Sequence, residues 1–283
     1  MIYKKYQLEK CYINSQTGDK NIIFTAYMSS NSKEIDLKRK HPAVVICPGG
    51  AYIDLSEREG EPVAIEFMSK GFHAFVLNYT TYPNAYPDAL IEVSMLVAWL
   101  RKNAEELSID PDKIFTCGFS AGAHLAASAG VYWKNPEIYA HTDIDYGSGR
   151  PNGMILCYPV VSEDIACKRI NSFDYLISNK EQKKLRSENS LPNGIDETTP
   201  PAFIWHTFED ATVPVKSAIV LAEALEKNNV KFELHIFSNG PHGLSLCNHQ
   251  TAAEDKEQYY NSQVEEWKEL CYNWLQKEFG IKF

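Results

Sequence analysis

Ser120 lies in Gly118-Phe119-Ser120-Ala121-Gly122, a G-x-S-x-G pentapeptide, where the apolar run KIFTCGFS gives way to the small-residue helical pattern AGAHLAASAGVYW. The chemistry this spacing suits is nucleophilic attack by a hydroxyl. A serine hydroxyl is a weak nucleophile at neutral pH. It needs a base within hydrogen-bond reach, a group that orients the base, and donors for the developing oxyanion. A sharp strand-to-helix turn pushes the serine forward, and glycines two residues to either side let neighbouring backbone come close. The following helix turns its positive end and free N–H groups toward the site. The pentapeptide alone fits an ordinary small-residue turn equally well, so its meaning depends on the other parts.

The base is expected on a loop after the last strand. His242, in SNGPHGLSL, follows the strand pattern KFELHIF and is flanked by Pro241 and Gly243. An exposed loop histidine is the alternative reading. His235 falls within that strand, His206 ends the preceding one and His249 lies further downstream. His124, one helical turn after Ser120, reads as a packed and hydrogen-bonded helix residue. The orienting acid is expected after the penultimate strand, where PAFIWHTFEDATVP offers Glu209 and Asp210. Asp210 is chosen, with Glu209 as a solvated loop charge. One oxyanion donor would be the N–H of Ala121, after the nucleophile. The second would come from CPGGAY, which ends the strand AVVIC and makes Gly50 and Ala51 the candidates; a plain Gly-Gly turn is the alternative there.

These residues must be held by a scaffold, and the sequence alternates strand and helix patterns in a way that supplies one. NIIFTAYM, AVVICPGG, FHAFVLNY, KIFTCGFS, GMILCYPVV, PAFIWHT and KFELHIF read as strands, and CYIN reads as a partner for the first through a turn at Thr17-Gly18. Between them EPVAIEFMSKG, capped at Gly71, DALIEVSMLVAWLRKNAEEL, with Asp88 as N-cap, AGAHLAASAGVYW and VKSAIVLAEALEKNN read as helices. EQYYNSQVEEWKELCYNWLQKEF is expected to be one C-terminal helix. Alternation of this kind implies an α/β fold, a mostly parallel sheet of about eight strands with helices on both faces. Residues 162–199 break the alternation and are expected to form a small lid or cap inserted in a single domain of residues 1–283. Tyr52 and Phe119 are candidates for substrate contact, and the stretch Phe173–Leu176 could join them; core packing is the alternative for each.

Composition bounds the rest. With 283 residues, 44% hydrophobic and 23% charged, the chain has enough apolar material for a packed core and no sign of disorder. The net charge of −9, with Lys and Arg scattered, argues against a nucleic-acid partner. No apolar run approaches the roughly 18 residues of a membrane helix, and the N-terminus shows no signal-peptide pattern, so no membrane partner and a cytoplasmic location are expected. The seven cysteines include no C-x-x-C pair, which favours buried reduced thiols over disulfides or a zinc site. No metal-binding, phosphate-loop or dinucleotide motif occurs, so no cofactor and no metal are expected.

The order Ser120, Asp210, His242 differs from the orders in the chymotrypsin and subtilisin folds and matches that of the α/β-hydrolases. The chain resembles the esterase/lipase branch of that superfamily. More narrowly, it is similar to bacterial acetyl esterases and acetylxylan esterase-like sugar-ester hydrolases. The pieces that carry the resemblance are PGGAY, LSEREGEPVA, GFHAFVLNY, IDPDKIFTCGFSAGAHLAA, HTFEDATVP and GPHG, spanning Ala43 to Gly243. The resemblance implies a Ser120–His242–Asp210 triad, oxyanion donors among Gly50, Ala51 and Ala121, and a small-molecule ester as partner, with a homodimer left open. PGGAY has proline and alanine where many esterases read H-G-G-G, which blurs the choice of donor. Ala123 stands where glycine is commoner, which touches helix packing.

The expected activity is a serine carboxylesterase acting on short acyl esters, acetyl above all, with sugars or xylo-oligosaccharides as the alcohol part on resemblance alone. An arylformamidase or a peptidase on the same fold is the competing enzyme reading. A non-catalytic binding protein would be expected to lack the nucleophile or base, and neither is lacking here.

Overall fold

The structure, a computed structural model, describes residues 1–9, 21–83, 85–140, 142–165, 171–179, 181–252 and 257–283. Among them, eight strands form one sheet: β1 (Ile2–Glu9), β2 (Asn21–Met28), β3 (His41–Cys47), β4 (His73–Asn78), β5 (Ile109–Phe119), β6 (Gly153–Cys157), β7 (Ala202–Thr207) and β8 (Phe232–Phe237). Their order across the sheet is β1-β2-β4-β3-β5-β6-β7-β8. The first two pairings, β1 with β2 and β2 with β4, are antiparallel, and the rest are parallel. This is the α/β-hydrolase fold. The chain runs outward from β3 to β4, then returns past β3 to β5. The crevice between the carboxyl ends of β3 and β5 is therefore a topological switch point, the place where open α/β sheets bind ligands.

Ten helices accompany the strands among the described residues: α1 (Glu61–Ser69), α2 (Asp88–Lys102), α3 (Ala121–Val131), α4 (Pro136–Ala140), α5 (Phe173–Leu176), α6 (Lys183–Glu188), α7 (Leu191–Gly194), α8 (Lys216–Lys227), α9 (Ser262–Glu265) and α10 (Trp267–Phe279). Period-two alternation sorts the strand side chains between two cores. Ala43, Val45 and Cys47 of β3 face the core built with α2, α3 and α8. Val44 and Ile46 face the one built with α1 and α10. The central strands are buried on both faces, which is why they read as continuous apolar runs.

Some local expectations change. The partner of β2 is β1, whose exposed residues lack a strand-like apolar run; CYIN and the Thr17-Gly18 turn lie outside the described residues. Asp88 is the first residue of α2 rather than its cap. Pro87 occupies the cap position, without a side-chain bond, and Asp88 is buried at the positive end of the helix. The C-terminal helix does not start at Glu257. Residues Glu257–Tyr259 form a separate 3-10 turn, and Asn261 accepts the Val264 N–H at 3.1 Å, capping a new start at Ser262. Cys47, Cys117, Cys157, Cys247 and Cys271 are buried free thiols, while Cys11 and Cys167 lie outside the described residues. No helix among the described residues is long and apolar enough to cross a membrane.

The described part of 162–199 carries α5, α6 and α7 and lies between β6 and β7. Arg186, 1% exposed, ties it together by pairing with Glu163 at 2.6 Å and Asp174 at 2.8 Å and donating to the Ile177 carbonyl at 2.8 Å.

Candidate active site

The sheet register brings the reactive loops side by side. Cys47 pairs with Gly118, Phe119 with Cys157, Cys157 with Trp205, and Thr207 with Phe237, so the loops after β3, β5, β6, β7 and β8 open on one edge. Ser120 follows β5 at φ 56° and ψ −118°. A residue with a side chain is strained there, at a cost of about 1–3 kcal/mol, and persists only where its surroundings hold it. The Ser120 N–H donates to the Cys157 carbonyl at 3.0 Å, and the Ser120 carbonyl accepts the Val160 N–H at 3.2 Å. The flanking glycines follow from close approach. A Cβ on Gly122 would sit 2.1 Å from the Cys47 carbonyl oxygen, and one on Gly118 would sit 2.1 Å from that of Gly122. The elbow therefore closes against the end of β3, and only hydrogen fits at either position.

The three residues expected to act together meet. His242 Nε2 lies 2.8 Å from Ser120 Oγ, and His242 Nδ1 lies 2.6 Å from Asp210 Oδ2. A carboxylate facing Nδ1 keeps the proton there and leaves the Nε2 lone pair toward the hydroxyl. Asp210 itself is immobilised. Its other oxygen, Oδ1, accepts the N–H groups of Thr212 and Val213, both at 2.8 Å, and His206 Nε2 lies 3.3 Å from Oδ2. Burial alone would raise the Asp210 carboxyl. The bonds from His206 and His242, with their charge, outweigh it and hold the group well below the ordinary carboxylate range. Glu209, the rejected neighbour, faces Asn239 and the Gly240 N–H at the exposed side of the loop.

The loop after β3 also runs through positive φ. Gly50, Ala51 and Tyr52 have φ of 134°, 57° and 62° in succession. Within the described residues, the N–H groups of Gly50, Ala51 and Ala121 donate to no protein acceptor. The carbonyls behind them are used, Gly50 O accepting from Ile53 and Gly49 O from Ser56, both at 2.9 Å.

Two nominated substrate contacts are placed elsewhere. Tyr52 is 1% exposed, and its hydroxyl donates to His124 Nδ1 at 2.8 Å. Phe119 is 0% exposed and packs between Tyr158 and Trp267 in the core under the elbow. Both side chains are core members, because strand alternation turns Phe119 away from the open edge and positive φ at Tyr52 folds its ring under the loop. Phe173 is likewise buried and stands edge-on to His124 at 5.2 Å. His124 Nε2 meets the Asn189 carbonyl at 2.9 Å, so it carries the proton and Nδ1 accepts from Tyr52. Burial pushes this imidazole down to about 4, so it is a neutral bridge between the β3 loop and the insertion.

Three participants were not legible beforehand. His206 supports Asp210, Tyr158 lies edge-on to the His242 ring at a 5.0 Å centroid distance, and Glu59 is a carboxylate only 4% exposed. REGEP and CYP carry no spacing that announces such contacts. Among the described residues no group of three His, Cys, Asp or Glu side chains could hold a metal ion.

Comparison with known proteins finds relatives over most of the chain. The BD-FAE family profile matches residues 33–225, and the dienelactone hydrolase family profile matches residues 186–279. Endo-1,4-beta-xylanase B of Butyrivibrio fibrisolvens is 36% identical over 218 residues, covering 74% of this chain and 33% of the xylanase. The acetylxylan esterase of Xylanibacter ruminicola is 30% identical over 210 residues, covering 72% of this chain and 41% of the esterase. The chain thus spans less than half of either relative. The crystal structure of an acetyl ester-xyloside bifunctional hydrolase from Caldicellulosiruptor lactoaceticus superposes with a TM-score of 0.81 at 31% identity, covering 98% of this chain and 97% of that one.

Proposed function

The chain belongs to the BD-FAE family of α/β-hydrolases, and from that premise we propose that it is a serine carboxylesterase that removes short acyl groups, acetyl in particular, from sugar or xylo-oligosaccharide esters. One observation carries the catalytic part: the unbroken relay from Ser120 Oγ through His242 to a buried Asp210, at 2.8 Å and 2.6 Å. Ser120 Oγ attacks the ester carbonyl as His242 Nε2 takes its proton. Asp210 holds the imidazole and stabilises the imidazolium. The N–H of Ala121 and those of Gly50 or Ala51 receive the oxyanion, each donor contributing about 3–4 kcal/mol. The carbon–oxygen bond to the alcohol then breaks, and His242 returns its proton to the departing alkoxide. Water, activated by the same histidine, adds to the acyl-enzyme, and the carboxylic acid leaves with Ser120 restored.

The acetyl and sugar parts are supported by the relatives, whose names specify an acetylxylan esterase and an acetyl ester-xyloside hydrolase. A series of p-nitrophenyl esters, run beside acetylated xylo-oligosaccharides, tests them. The highest kcat/KM is expected for acetate, falling at least about tenfold by octanoate, as acetyl selectivity requires weaker transition-state binding of the longer ester. Acetate release from the oligosaccharides is expected too. Preference for long chains would overturn the acetyl assignment and leave the serine chemistry standing.

A further inference from the structure

We propose that Glu59 is a positioning residue for the Ser120 reaction, tying the oxyanion loop to the histidine loop through one buried carboxylate. The inference rests on the esterase reading above. Glu59 ends a short 3-10 turn, Glu57–Glu59, just before α1. Its Oε2 accepts the Gly49 N–H at 2.7 Å, at the base of the strained Gly50–Tyr52 segment. Its Oε1 accepts the Tyr158 hydroxyl at 2.7 Å. That hydroxyl also accepts the N–H of Ser245 at 3.0 Å, and the Tyr158 ring abuts His242. Ser245 is further fixed by its hydroxyl, which donates to the Arg58 carbonyl at 2.6 Å, and by its own carbonyl, which accepts Trp267 Nε1–H at 3.0 Å. One carboxylate thus connects the loops after β3, β6 and β8.

The protonation state follows from the donors. The Gly49 N–H can only donate. The Tyr158 hydroxyl accepts from Ser245 and donates its proton to Oε1. Both carboxyl oxygens act as acceptors in these bonds, an arrangement that suits the ionised form. Among the described residues no cation pairs with it. Burying such a charge is expensive, and an apolar side chain would fill the space at less cost. Burial holds the Glu59 carboxyl above its ordinary value, and the bonds from Tyr158 and Gly49 and the nearness of His242 and Arg58 offset only part of the rise. Gly49 is shaped to the same contact, since a Cβ there would lie 2.6 Å from Glu59 Oε2 and 2.7 Å from the Phe119 carbonyl oxygen.

Glu59→Gln keeps the shape but offers one acceptor in place of two, so either Gly49 or Tyr158 is released. Positioning predicts a kcat on p-nitrophenyl acetate lower by roughly 10–100-fold with KM within about twofold. The acid limb of kcat/KM should also move to lower pH. The titratable groups facing the His242 ring are Asp210, Tyr158 and, behind Tyr158, Glu59. Removing a negative charge behind Tyr158 disfavours the imidazolium formed as Ser120 attacks. The rate at which an aryl fluorophosphonate labels Ser120, which requires no ester turnover, should fall by a factor similar to that for kcat, so the proposal can be judged even if the ester reading fails. Tyr158→Phe, which removes only the hydroxyl, should lower kcat about 3–10-fold, and the double variant should be no worse than Glu59→Gln. If Glu59→Gln folds with wild-type kcat and a wild-type Ser120 labelling rate, the proposal is wrong and Glu59 is structural only. If Glu59→Gln fails to fold, wild-type kcat in Tyr158→Phe would overturn it.

Discussion

Ser120→Ala is expected to lower kcat on a short p-nitrophenyl ester by at least about ten-thousand-fold, with the melting temperature within about 2 °C of wild type. The kinetic part follows because alanine offers nothing at the position 2.8 Å from His242 Nε2, leaving only the oxyanion donors and substrate binding. The stability part follows because alanine inherits the same φ of 56° and therefore the same strain. Ser120→Gly separates the two effects. It should be as inactive as alanine yet more stable than wild type by about 1 kcal/mol, because glycine accepts positive φ without penalty. Steady-state kinetics and thermal denaturation of the three proteins check this. An alanine variant retaining more than a few per cent of kcat would remove Ser120 from the reaction.

Asp210→Asn is expected to lower kcat by roughly a thousand- to ten-thousand-fold, through the tautomer of His242. The Thr212 and Val213 N–H groups, each 2.8 Å from Oδ1, select the amide oxygen for that position. The amide NH2 then faces His242 Nδ1, where it can only donate. Nδ1 must accept, the proton moves to Nε2, and the base has no lone pair for Ser120. A second consequence concerns acid stability. The native carboxyl is held below its ordinary value, so its contribution is fully present above the unfolded-state value near 3.8 and is lost as pH falls through the depressed native one. Asparagine does not titrate, so the acid-unfolding curve of the variant should be flatter over that window, while its stability at neutral pH is lower. Urea unfolding at stepped pH values, beside steady-state kinetics, measures both effects. A variant with wild-type kcat would mean that His242 needs no carboxylate partner.

The parts of the site that were legible are those whose requirements are local or ordinal. Gly118 and Gly122 flank Ser120 because backbone passes within about van der Waals contact of both. His242 and Asp210 follow from which strand each loop succeeds, and strand order is readable from apolar runs. Tyr52 and Phe119 are buried because their direction is set by backbone φ and by which face of β5 is inward, and neither is encoded in a pentapeptide. The strand β1 was missed because an edge strand with one exposed face has no continuous apolar run. Glu59, Tyr158 and His206 escaped notice for a different reason. Each acts through a contact distant in sequence, and a glutamate in REGEP reads as an ordinary helix-start charge until the fold buries it.

A covalent adduct on Ser120 tests its role as nucleophile most directly. Incubation of the folded protein with an aryl fluorophosphonate, followed by intact-mass measurement and peptide mapping, should give a single adduct on the peptide carrying Ser120. The adduct should be absent from Ser120→Ala and form at least about a hundredfold more slowly in His242→Ala, since the same base must take the proton. Folded wild-type protein that hydrolyses esters while Ser120 stays unmodified, or an adduct on another residue, would contradict the assignment of Ser120 as the nucleophile.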